Sequence, residues 1–104
     1  MTPQVHRALD CLAPALPVGS KVFLFGSQAE GRQRNDSDLD LFIVEPSVED
    51  RLAESIRLSS LLGRQLIAAD VVVQDRKTFE RQRAIPNTLA WHVFLHGIPY
   101  GIER

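Results

Sequence analysis

Apolar residues at positions 5, 8, 9 and 12 recur at helical spacing, so Val5 to Leu12 predicts an amphipathic first helix, ended by Pro14 and Pro17. Val18-Gly19-Ser20 reads as the turn into Lys21-Val22-Phe23-Leu24-Phe25, a short apolar run predicted to be a buried strand that ends at Gly26-Ser27. A short helix is expected over Ser27 to Gly31, and polar Gln33 to Ser37 reads as loop. The second strand is Leu39-Asp40-Leu41-Phe42-Ile43-Val44. Pro46-Ser47 predicts the start of a helix, with Ser47 as its cap and Asp50 three residues on in a capping-box-like arrangement. Val48, Leu52, Ile56, Leu61 and Leu62 are expected to draw its apolar face, and Gly63 to stop it. A third strand is predicted from Ile67 to Gln74, then a charged, partly helical segment from Asp75 to Arg83. A last helix follows Pro86, running from Thr88 to His96 and closed by Gly97. Ile98 to Ile102 fits a short edge strand, the one place in a sheet where Pro99 is tolerated. Strands with interleaved helices indicate α/β or α+β architecture, a small mixed sheet with helices packed on it.

Composition narrows the class. A chain of 104 residues predicts one domain over 1–104, and 44% hydrophobic with 24% charged residues suits a soluble globular protein. A net charge of −1 supplies no overall drive toward nucleic acid or a membrane surface. A lone Cys11 excludes an internal disulfide and suits a reducing, cytoplasmic compartment. No signal peptide is evident, and no apolar run approaches a membrane span.

The chemistry lies in Gly26-Ser27, Asp38-Leu39-Asp40 and Asp70. A Gly-Ser at a strand end lets backbone N–H groups and one hydroxyl approach an anion. Side chains alternate along a strand, so Asp38 and Asp40 point the same way. Asp70 stands inside Ile67-Ala68-Ala69-Asp70-Val71-Val72-Val73, where burying an unpaired carboxylate is costly. Two unit charges about 4 Å apart repel by roughly 4 kcal/mol at an effective dielectric near 20. A small domain has only about 5–15 kcal/mol of stability. Three such carboxylates therefore take up protons or hold a cation, and oxygen-only ligands favour Mg²⁺ or Mn²⁺. Two ions beside a nucleoside triphosphate held by Gly26-Ser27 would activate an attacking oxygen and stabilise the leaving pyrophosphate.

Asp-x-Asp alone is weak evidence. Seven Asp in this length produce roughly 0.5 such pairs by chance, and a turn or cap accounts for most of them. The order strand, Gly-Ser, loop, Asp-x-Asp on a strand and lone Asp on a third strand carries the metal-site reading. Other features read blandly. His92 and His96 have a zinc-compatible spacing but no third ligand nearby in sequence. Arg76, Lys77, Arg81 and Arg83 read as a solvated face, and Trp91, Phe94 and Leu95 as core.

The run Gly26-Ser27-Gln28-Ala29-Glu30-Gly31-Arg32 … Asp36-Ser37-Asp38-Leu39-Asp40-Leu41 resembles the signature of the minimal nucleotidyltransferases, small members of the DNA polymerase beta-like superfamily. Asp70 matches their third carboxylate, and Leu95-His96-Gly97-Ile98-Pro99-Tyr100 is similar to their glycine-to-tyrosine ending. The resemblance covers about residues 4 to 100 and makes α+β the choice of fold class, a polymerase beta-like nucleotidyltransferase fold. It implies transfer of a nucleoside monophosphate, AMP, from ATP with release of pyrophosphate. By the same resemblance Asp38, Asp40 and Asp70 would be the catalytic, metal-binding residues, and Gly26, Ser27, Arg32 and Ser37 would bind the nucleotide. Ser37 would alternatively orient Asp38 or shape the turn. Related motifs carry a basic residue near Gln28 or Glu30, a charge that Arg32 or Arg34 would have to supply here. Many such domains are antitoxins of a HEPN-type ribonuclease toxin, and some add AMP to that partner. The alternative is a binding module that neutralises its partner by steric contact with an idle site. Nucleotidylation of a small molecule usually needs an added acceptor domain, although a homo-oligomer would build the missing wall.

Overall fold

The computed structural model describes residues 2–26 and 38–101. The chain enters helix α1 (Pro3–Leu12) through Thr2, whose hydroxyl accepts from the Val5 amide at 3.2 Å while Pro3 sits where no amide donor is needed. A 3-10 turn (Ala13–Ala15) leads away from it, and strand β1 (Lys21–Phe25) follows. Strand β2 (Leu39–Glu45) pairs antiparallel with β1. Helix α2 (Arg51–Arg64) crosses over to strand β3 (Ala69–Asp75), which runs parallel to β2. Asp75 then caps helix α3 (Arg76–Gln82), Thr88 caps helix α4 (Leu89–His96), and strand β4 (Ile98–Gly101) returns antiparallel to β1. The sheet order is β3-β2-β1-β4, so Pro99 lies on an edge strand opposite Phe23, as its missing amide requires. This is an α+β fold with a mixed sheet.

Alternation along β2 divides the interior in two. Leu39, Leu41 and Ile43 pack with Val5, Ala8 and Leu12 of α1 and Leu58 and Leu62 of α2. Phe42 and Val44 face the other way, onto Phe79 of α3 and Ala90 and Val93 of α4. The sheet is thus covered on both faces. Phe79 anchors the second layer, its ring 5.4 Å from that of Phe23 and 5.7 Å from that of Phe42. No helix among the described residues is long and apolar enough to cross a membrane.

Four sequence expectations need correction. The helix expected from Ser47 begins a turn later, because Asp50 is itself the cap and accepts from the Ala53 amide at 3.0 Å. Leu52 and Ile56 do not face the core; they are 70% and 57% exposed, whereas Leu62 is buried as expected and Leu58 is buried beside it. Ile56 and Leu58 lie about 200° apart around a helix, so the apolar residues form two stripes and the sheet covers one. On α4, Phe94 and Leu95 are 46% and 52% exposed rather than core, since this short helix is apolar all round and touches the sheet on one side.

Gly63 does not end α2 either. The helix runs to Arg64, and the left-handed residue that turns the chain is Leu66, at φ 59° with its side chain in solvent. A left-handed conformation costs a side-chain-bearing residue roughly 1–2 kcal/mol, offset in part by the roughly 0.5–1 kcal/mol of entropy that glycine brings. Leu66→Gly should therefore stabilise the fold by about 0.5–1 kcal/mol, read as a higher urea midpoint with an unchanged slope.

Candidate active site

The parallel pairing of β2 with β3 sets Asp40 directly beside Asp70. Both belong by alternation to the face that carries Phe42 and Val72, away from α1 and α2. Asp38 stands immediately before β2, two residues from Asp40 and therefore on the same side, and it is exposed, as is Asp70. The fold brings together three carboxylates that are up to 32 residues apart in the chain. Asp40 is half-buried, and its carboxyl is held above the usual range, first by burial and then by the charges of Asp70 and Asp38.

Gly26 closes the site from the β1 side. Its φ is +73°, and a Cβ built there would collide with Oδ2 of Asp40 and lie 3.0 Å from its Cγ. The glycine at the strand end thus leaves room for a carboxylate, a role the sequence reading did not assign to it. A strand Asp two positions from a second Asp, whose antiparallel partner Phe25 directly precedes a glycine, was the available signal, but it needs the register to be known. Ser27, Arg32 and Ser37, the other expected nucleotide-binding residues, lie outside the described residues, as do the helix expected over 27–31 and the loop over 33–37.

As placed, no three His, Cys, Asp or Glu side chains among the described residues surround one point. The donor set nevertheless fits a hard divalent ion: it is all oxygen, it gathers on one face, and Asp40 bears the charge crowding that a cation relieves. His92 and His96 are exposed on α4 with their rings 6.3 Å apart and, among the described residues, no third donor. Of the basic run, Arg76 reaches the Gly19 carbonyl at 3.1 Å, and Arg83 pairs with Glu80 and lies over the Phe94 ring.

A model of the nucleotidyltransferase domain matches residues 5–95, a span that contains the whole carboxylate cluster. The chain belongs to the nucleotidyltransferase domain family. Among solved structures, this nucleotidyltransferase domain is similar to a crystal structure of a toxin-antitoxin with AMP-PNP, with a TM-score of 0.59 and 23% identity. That likeness covers 96% of this chain and 74% of the other, and it shows a shared fold. No match is found among curated proteins. In this nucleotidyltransferase domain, then, the three carboxylates stand where two neighbouring parallel strands and the end of an adjoining antiparallel one meet.

Proposed function

We propose that this domain is a metal-dependent nucleotidyltransferase that moves AMP from ATP to a hydroxyl of a partner protein, acting as the antitoxin of a HEPN-type ribonuclease. The observation that carries this reading is the Asp40–Asp70 register with Asp38 alongside, inside a chain of the nucleotidyltransferase family. Asp38, Asp40 and Asp70 would hold Mg²⁺ or Mn²⁺, which when bound neutralises phosphate charge and lowers the pKa of an attacking oxygen. Gly26 would admit the triphosphate close to the backbone, with Ser27, Arg32 and Ser37 completing the grip. In the transfer, the acceptor oxygen bonds to the α-phosphorus as the bond from that phosphorus to the β-phosphate oxygen breaks. The electron pair departs with pyrophosphate, and we assign the hydroxyl proton to Asp70.

A second reading, neutralisation by contact alone, draws support from the exposed Phe94 and Leu95. One experiment separates the two. Tagged protein is used to capture its partner from the native host, in parallel with the Asp40→Asn variant, and the partner's intact mass is measured. Transfer requires a nucleotide-sized mass increase that depends on Asp40; a captured partner of unmodified mass in both samples supports contact alone.

A further inference from the structure

At the far end of β2 from the carboxylate cluster, Glu45 is 3% exposed and its Oε2 has no hydrogen-bond partner. Alternation aims it to the side of Leu41 and Ile43, where α2 packs. From α2, Arg57 donates through Nε and Nη2 to both carboxylate oxygens of Glu54 at 2.7 Å, and Nη2 also reaches the Ala15 carbonyl at 3.0 Å. A cavity of about 360 Å³ lies among Glu45, Glu54 and Arg57, with Glu49 and Asp50 at its wall. Among the described residues Arg57 is the one cation lining it, and it is already committed to Glu54. With that cation committed, a proton relieves the buried Glu45 carboxylate.

We propose that Glu45 and Glu54 share a single proton and that this pair, clamped by Arg57, is a pH-sensitive latch joining the end of β2 to α2 and to the turn after α1. Titration behaviour agrees with the geometry. Burial first, then the Glu54 hydrogen bond and charge, push the Glu45 carboxyl up to about 8, against the lowering influence of Arg57. The Arg57 hydrogen bonds hold Glu54 at about 2. The two titrate as a pair. Of the other nearby charges, two are engaged elsewhere. Asp50 caps α2, and Asp75, the register partner of Glu45 on β3, accepts from the Thr78 amide at 2.6 Å and feels Arg51 and Arg81. From β1, Lys21 is exposed opposite Val44, and Glu49 lines the cavity wall from the connection into α2.

The folded protein therefore carries an extra proton on Glu45 between the ordinary value of 4.5 and about 8, and stability falls as pH rises through that window. Below 4.5 the sign reverses: folded Glu54 stays ionised down to about 2, and stability falls as pH falls. The latch is strongest near pH 4.5.

The test is urea unfolding from about pH 3 to 9 on wild type, Glu45→Gln and Glu54→Gln, beside a carboxyl NMR titration of Glu45 in the wild type. We expect the wild-type folding constant to drop by up to about tenfold per pH unit above 4.5, and this loss to vanish in Glu45→Gln, whose amide still donates to Glu54. Parallel curves for wild type and Glu45→Gln overturn the latch. If that variant does not fold, the NMR titration decides: a Glu45 midpoint near 8 upholds the proposal, and one near 4.5 ends it.

Discussion

Asp40→Asn is expected to lose nucleotidyl transfer by about a thousandfold or more, while the metal-free protein becomes more stable by about 1 kcal/mol. The loss is of the size seen when a group acting on the reacting atoms is removed. The gain follows from the raised carboxyl of Asp40, which is half-buried between Asp70 and Asp38 and repelled by both. Asparagine keeps the shape that Gly26 accommodates and removes the charge. Screening at this half-exposed site limits the benefit to the lower end of Coulomb estimates. Magnesium should reverse the ranking. An ion at a hundred times its dissociation constant stabilises its folded site by about 2.7 kcal/mol, and the variant should forgo most of that. Thermal melts with and without Mg²⁺, run beside a transfer assay, read both effects. A variant that still transfers AMP, or that melts lower than wild type without metal, contradicts this account of Asp40.

The same residue shows why some of this molecule was legible in its sequence and some was not. β1, β2 and β3 were readable because each is an apolar run long enough for a strand and short for a helix, bounded by Gly, Pro or polar residues. Thr88 and Gly97 bracketed α4 unambiguously. Asp38 and Asp40 shared a face by alternation alone. Their meeting with Asp70 did not follow from spacing, since a parallel register is set by how α2 packs across the sheet. The start of α2 was ambiguous because Ser47 and Asp50 are both competent caps, and only the path of the chain out of β2 selects one. Leu66 in a left-handed conformation has no sequence signature with Gly63 close by to draw attention. Glu45 reads as the polar end of a strand, and nothing local predicts that α2 will seal it with Glu54 and Arg57. Local chemistry was visible; pairings across the sheet required the fold.

Gly26→Ala should come close to Asp40→Asn in lost transfer, yet move stability the other way. At φ +73° an alanine costs roughly 1–2 kcal/mol, less about 0.4–1 kcal/mol recovered because its unfolded chain is stiffer. Sterics add to this. The new Cβ would collide with Asp40 Oδ2, so the carboxylate must rotate out of its place or β1 must shift against β2. Either movement displaces the group on which transfer is proposed to depend. The steric share is separable from the backbone share by a double-mutant cycle with Asp40→Ala. Truncation at 40 leaves only its Cβ, 3.4 Å from the built atom and in ordinary contact, so Gly26→Ala should cost measurably less stability in that background. Denaturant unfolding of the four proteins gives the coupling directly. Strict additivity would mean that Gly26 is required for its turn alone, and that the closeness of Asp40 constrains nothing.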